Sequence, residues 1–329
     1  MKIFITGASG FLASHLFDAL VALDHEVYGC DIASDDTVAT ISKADCRDFA
    51  RMRREFSGVD VVIHTAAFPH EGLSVFSPSV ISDSIYGASV SVFSAAIASG
   101  VRRIVNCSSM SRYGAIPSPF RETDHPKPCD PYGVAKLAAE RTLECLAEVH
   151  GVEWVTAVCH NIYGPRQCRT DPYRNVLAIW MNRILQGNAP VIYGRGDQRR
   201  CFSFVDDIIP CFVQMATADN KDILGKVINI GPDHGDVNIL AACGLVIDEM
   251  SYRGTAIHYN ARPAEVHTAN CSADRARQLL GFKSRTSLQA GIHKMAEWMR
   301  EVGPLPFKYH LPIEIVSDKT PKTWTKKEM

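Results

Sequence analysis

Five short apolar runs rich in β-branched residues recur along the first half of the chain, each closed by turn-forming residues. They are "KIFIT" from Lys2, "EVYGCD" from Glu26, "VDVVIHTA" from Val59, "RRIVNCSS" from Arg102 and "WVTAVCH" from Trp154. Such runs mark buried strands. Between them the pattern is helical: "GFLASHLFDALVALD" from Gly10, the region near Arg47–Phe56, "DSIYGASVSVFSAAIASG" from Asp83 and "DPYGVAKLAAERTLECLAEVHG" from Asp130. Alternation of strand and helix predicts an α/β fold, a doubly wound parallel sheet with helices on both faces. The pattern loosens after "CHNIYGPRQ", where loops rich in Arg, Pro and Asp surround a helix, "RNVLAIWMNRILQG". "GKVINIG", from Gly225, reads as a further strand of the first sheet. The expected division is therefore 1–160 for the sheet, with segments near 203–232 returning to it, and 161–329 mainly for a smaller mixed α/β domain. The C-terminal "KYHLPIEIVSDKTPKTWTKKEM" is rich in Lys and Pro and is expected to drape over the surface.

Composition narrows the function classes. The 329 residues are 46% apolar and 22% charged, ordinary for a globular protein with a sizeable core. A formal net charge of −1 gives no overall footprint for nucleic acid or an anionic membrane surface. The basic run Arg51, Arg53, Arg54 reads as a solvated helix face. No apolar run reaches the roughly 18 residues of a membrane span, and the start carries no secretory leader. The eleven cysteines are scattered and never form C-x-x-C, so they are expected to be reduced thiols in a cytoplasmic protein without a metal site.

"TGASGFLASHL" lies between the first strand and the first helix. Gly7 and Gly10 let the backbone turn tightly and approach a pyrophosphate at the helix N-terminus, with Ser9, Phe11 and Leu12 sharing the cradle and Ala13 allowing close packing. Asp31 ends the second strand, where a carboxylate accepts from ribose hydroxyls and repels a 2′-phosphate, which favours NAD over NADP. Asp45 and Cys46 of "ADCRD" are candidate adenine-edge contacts, and Thr65, Ala66 and Ala67 leave room for a dinucleotide along the sheet edge. Tyr132 and Lys136 stand one helical turn apart. A lysine ammonium beside the phenol, together with the positive nicotinamide ring of NAD⁺, is expected to lower its pKa and make it a base for a sugar hydroxyl. Ser109 ends the preceding strand and could bond the same oxygen, with Ser108 and Ser111 as rivals.

Together "TGASGFLASHL", "CSSMSRYG", "DPYGVAK", "HNIYGPRQ", "GRGDQRRCFSFVDD" and "ARPAEV" resemble the extended short-chain dehydrogenase/reductases, in particular the NAD-dependent nucleotide-sugar epimerases and dehydratases. The wording is most similar to UDP-hexose 4-epimerases, and the resemblance spans nearly the whole chain. It implies a Rossmann-type fold, bound NAD, a UDP-sugar substrate and a homodimer formed by helices near Ser84–Ser99 and from Asp130. It selects Ser109 as the catalytic serine beside Tyr132 and Lys136. It places Asn161, Asn175, Arg200, Arg262 and Glu265 on the sugar nucleotide, and Ala269 beside the hexose, where its small size implies room for an N-acetyl group. The family's dehydratases carry Thr-Asp-Glu where this chain has Ser109-Met110-Ser111, which lack the acid and base for elimination. Departures include Pro69 and His70 near a common cofactor-binding lysine, Ser84 for Asn, Arg195 for Asp and Cys201 for Asp. An epimerase acting at C4 of a UDP-hexose or UDP-N-acetylhexosamine is thus expected. A reductase, decarboxylase or dehydratase of a modified nucleotide sugar, or a non-catalytic NAD(H) sensor, are the alternatives.

Overall fold

The structure, a computed structural model, describes residues 1–34 and 38–329. Its centre is a seven-stranded, wholly parallel sheet. The strands are β1 (Lys2–Thr6), β2 (Glu26–Asp31), β3 (Ile41–Lys43), β4 (Val61–His64), β5 (Arg103–Ser109), β6 (Glu153–Cys159) and the strand Lys226–Ile230. Their spatial order runs from Lys226–Ile230 through β6, β5, β4, β1 and β2 to β3. The winding therefore reverses between β1 and β4, opening a crevice at the strands' carboxyl ends. The strand Lys226–Ile230 pairs with β6, so the sheet draws on chain well beyond residue 160.

Strand side chains alternate between two cores, as a period of two requires. Ile3, Ile5, Val61 and Ile63 face α1 (Phe11–Val21) and the helix Val205–Thr217. Phe4, Val62 and Ile104 face α2 (Phe49–Glu55), α5 (Ala88–Ala98) and α6 (Pro131–His150). Between β4 and α5 lie α3 (Glu71–Ser74), α4 (Pro78–Ser82) and a single π-helical turn, Asp83–Gly87. Counted as one run, Pro78–Ala98 has 21 residues, and an 18-residue stretch of it has a mean hydropathy of 1.4, enough by length and composition to cross a membrane. This overturns the expectation that no segment reaches that length. Here its apolarity serves packing: Ile81, Ile85, Val92 and Phe93 are all buried.

The other elements build a second core. Helices Val176–Leu185, Ile239–Glu249 and Leu288–Val302 bury Trp180, Met181, Val246, Met295 and Met299 together. Short ladders complete it: Arg199–Arg200 lies between Val237–Asn238 and Thr268–Ala269, and Val191–Tyr193 pairs with Ile257–Tyr259. The C-terminal segment does not simply drape over this surface. Trp324 is only 2% exposed and sits edge-on to Phe76 and Tyr173 at centroid distances of 6.0 and 5.4 Å. Leu311 is buried in the same cluster, with Tyr309 and Ile313 packed against it, so several apolar side chains anchor an otherwise polar tail.

Candidate active site

A cavity of about 530 Å³ follows the carboxyl edge of the sheet and continues to the loops around Arg200 and Arg262. At its first end, the amides of Gly7 and Ala8 both donate to the Cys30 carbonyl, at 2.8 and 3.0 Å. Gly7 has φ +72°, and a Cβ there would stand 2.8 Å from the Ala66 Cα. Only glycine combines that conformation with that approach. Gly10 caps α1 without any side-chain hydrogen bond, so the first turn presents free amides to a ligand. Asp31 accepts from the amides of Ser9 (3.1 Å) and Ala33 (2.8 Å) while lining the cavity. Phe11, Leu12, Cys46, Thr65, Ala66 and Ala67 line it as well, whereas Ser9 contributes only its amide to Asp31. These features fit a dinucleotide: a close backbone for the pyrophosphate, a carboxylate at the end of β2, and small residues on the wall.

Asp45 lines the cavity as well, with its carboxylate held by a neighbouring arginine. Both its carboxylate oxygens accept from Arg47, whose guanidinium also reaches Asp83 at 2.5 Å. The hydrogen bonds from Arg47 hold the Asp45 carboxyl below its usual range. An adenine would meet an ion-paired carboxylate rather than a free one.

At the centre, the Asp130 carboxylate caps α6 by accepting from the Gly133 amide at 2.9 Å, and Pro131 occupies the first turn. This cap orients Tyr132 and Lys136 toward the end of β5. Lys136 Nζ donates to the Cys107 carbonyl at 2.8 Å. Burial pushes the Tyr132 phenol up, the Ser109 hydroxyl bonded to it pulls it down, and Cys107, Glu71 and Asp130 add to the rise. Among the protein's own groups the rise wins, and the expected lowering needs the charge of the nicotinamide ring beside that of Lys136. The lysine's ammonium is bonded to a backbone carbonyl, its own pKa is lowered by burial, and desolvation governs the phenol. The three serines differ in their surroundings. Ser108 bonds Glu140, Ser111 donates to Glu71 Oε2 at 2.9 Å, and Ser109 Oγ, 3.3 Å from the Ser111 hydroxyl, is the one that pulls the Tyr132 phenol down. Behind the site, Glu140 lies 2.8 Å from Arg112, and burial raises its carboxyl to about 7 against the pull of Arg112 and Ser108.

At the far end, Asn161 and Asn175 both adopt positive φ, of 43° and 65°. Asn161 donates to the Cys201 carbonyl at 2.8 Å, whereas the buried Asn175 Nδ2 at the cavity wall has no partner among the described residues. Arg262 and Arg200 share Glu265 Oε1, at 3.0 and 3.7 Å. Ala269 does not line the cavity. It is buried with Met110, Tyr113 and Cys271, and Met110 is the member of that cluster on the wall. Pairing of Thr268–Ala269 with Arg199–Arg200 fixes it there, which removes the basis for reading sugar bulk from this position. His70 is also off the wall. It is 1% exposed, with Nε2 2.8 Å from Asp171, so it ties α3 to the loop before Asn175 instead of meeting a cofactor. Burial alone would raise Asp171, but His70, Arg174 and the Tyr173 amide hold it well below the usual carboxylate range. Glu71 was not singled out by sequence reasoning, yet it lines the centre of the cavity. A lone carboxylate in the loop after β4 was its only signal.

Residues 3–231 match the NAD dependent epimerase/dehydratase family. The chain is 28% identical over 319 residues to a UDP-glucose 4-epimerase of Mycolicibacterium smegmatis, covering 91% of this chain and 99% of that one. It is also 28% identical over 340 residues to a dTDP-glucose 4,6-dehydratase of Shigella flexneri, covering 91% and 92%. Among solved structures, a Thermotoga maritima UDP-glucose 4-epimerase with UDP-glucose superposes with a TM-score of 0.85 at 26% identity, over 92% of this chain and 99% of that one. With a dinucleotide cradle that excludes any Cβ and a serine-bonded tyrosine at its mouth, the chain belongs to the NAD dependent epimerase/dehydratase family of extended short-chain dehydrogenase/reductases, and it is an enzyme that uses NAD.

Proposed function

We propose that this enzyme inverts the hydroxyl at C4 of a UDP-hexose. NAD, when bound, supplies the acceptor and later the donor of the sugar's hydride. Gly7, Gly10 and Asp31 would hold it at the carboxyl edge of the sheet. Tyr132 takes the proton of the sugar hydroxyl and returns it, and Ser109 donates a hydrogen bond that steadies the phenolate and the developing carbonyl oxygen. Lys136, anchored on Cys107, holds positive charge beneath the phenol. Arg200 and Arg262 suit the diphosphate, because the guanidinium fork matches phosphate oxygens, and the free Asn175 amide is a further donor on that wall.

The convergence of Ser109, Tyr132 and Lys136 on the cavity at the end of β5, with Lys136 Nζ 2.8 Å from the Cys107 carbonyl, carries this reading. Met110 and Ser111 support epimerisation over elimination, because neither supplies the acid and base that loss of water requires. Incubating the enzyme with UDP-glucose and following products by NMR tests it. UDP-galactose is expected, and Tyr132→Phe is expected to lose about 10²–10⁴-fold in kcat. A 4-keto-6-deoxy product would make the protein a dehydratase instead. We further infer that residues 1–160 mainly serve the cofactor and 161–329 mainly the sugar nucleotide. A dimer through the helical run from Asp83 into α5 and through α6 suits the exposed Tyr86 and Val134, and a monomeric mass in light scattering would reject it. All eleven cysteines are free, which fits a reducing cytoplasm.

A further inference from the structure

The loop after β4 brings a carboxylate into the part of the cavity that the hexose must cross. Glu71 opens α3, is half-buried, and accepts from the Ser111 hydroxyl through Oε2 at 2.9 Å. Ser111 in turn lies 3.3 Å from the Ser109 hydroxyl, so the carboxylate is two hydroxyls away from Tyr132. Its charge is felt by Tyr132 and Asp130 on one side and by Arg200 and Arg262 on the other. A sugar held between the phenol and the two arginines therefore passes Glu71.

Two more observations fix its role. Among the described residues none donates a hydrogen bond to Glu71 Oε1, which leaves one carboxylate oxygen free for a ligand. Its position is set by backbone as well: a Cβ on the next residue, Gly72, would stand 3.0 Å from Arg262 Nη1, so α3 rests on that arginine. The cations near this stretch have other tasks: the two arginines face the diphosphate, and Lys136 lies beneath the phenol. Lys136 bonds the Cys107 carbonyl, Arg174 bonds Asp171, and Arg200 and Arg262 share Glu265. A second carboxylate, Asp130, lines the same wall.

We propose that Glu71 sets the substrate class: it accepts a hydrogen bond from a hydroxyl or amide N–H of a neutral hexose and rejects hexuronates. This rests on the nucleotide-sugar reading above. A ring hydroxyl finds a free charged acceptor, which makes a strong hydrogen bond. A sugar carboxylate beside Glu71 meets two like charges, its own and that of Asp130, on one wall.

The test is binding of UDP-glucose and UDP-glucuronate to the NAD-loaded enzyme by calorimetry, for wild type and Glu71→Gln. Wild type is expected to prefer UDP-glucose by at least about tenfold, and Glu71→Gln to shrink that preference by about 10–100-fold, the size of a like-charge contact in a partly desolvated site. Equal or tighter binding of UDP-glucuronate by wild type overturns the proposal, as does an unchanged preference in the variant. Glu71→Ser provides the same comparison should the glutamine variant not fold, with circular dichroism as the check. Binding is read separately from turnover. Discrimination without any C4 inversion would overturn the epimerase reading and leave the role of Glu71 standing, whereas inversion without discrimination does the reverse.

Discussion

Tyr132 must lose a proton in a site that disfavours its charged form. Burial raises the phenol's pKa, and the Ser109 hydroxyl is what opposes this on the protein's side. The sign of the pH dependence follows. Phenolate becomes more abundant as pH rises, so kcat/KM is expected to climb from neutral toward alkaline pH. Ser109→Ala removes the opposing hydrogen bond, raises the phenol further, and moves that limb to higher pH, so kcat/KM at neutral pH falls by about 10²-fold. A pH profile of both proteins checks it, and coincident limbs would remove Ser109 from this role. Which serine matters could not be read from "CSSMS" alone. Three hydroxyls in five residues differ only in what each meets: Glu140, Tyr132 or Glu71.

The catalytic geometry at the level of elements is the seating of α6 on the turn after β5. Gly133, next to Tyr132, makes this possible, since a Cβ there would stand 2.5 Å from the Ser111 carbonyl and 3.1 Å from the Pro128 Cβ. Gly133→Ala is therefore expected to lift the first turn of α6 and displace Tyr132, lowering kcat by about 10²-fold. Gly151→Asn, at the other end of the same helix, has a positive φ but nothing within 4 Å of its Cβ, and kcat should be unchanged. Steady-state kinetics of the two variants separate seating from general helix stability. Strand and helix identity here was legible from the sequence, because apolar runs and amphipathic periods report burial directly. The close approach of α6 to Ser111 was not, because a glycine in "DPYGVAK" looks the same whether or not anything lies beside it.

Across the whole molecule, the cavity is closed by segments far apart in sequence. Trp324 packs against Phe76 from the loop after β4, Tyr173 from the loop before Asn175, and Tyr193 at 6.3 Å. Tyr193 in turn lies under Arg262, whose guanidinium carbon is 5.1 Å from the ring centroid. Trp324→Ala is expected to cost about 3–5 kcal/mol of stability and to raise KM for the sugar nucleotide more than it lowers kcat. Thermal melts and steady-state kinetics measure both, and an unchanged KM would show that the tail serves folding alone.

The sequence by itself determined the parallel sheet, the dinucleotide cradle and the Tyr132–Lys136 pair. Each of these is local: hydrophobic period, glycine spacing and helical pitch act over a few residues. The tertiary structure alone decided that Asp45 is engaged by Arg47, that Ala269 and His70 stand off the cavity wall, and that Glu71 stands on it. Those outcomes depend on neighbours tens to hundreds of residues away, and on the balance of desolvation against hydrogen bonding that only packing sets.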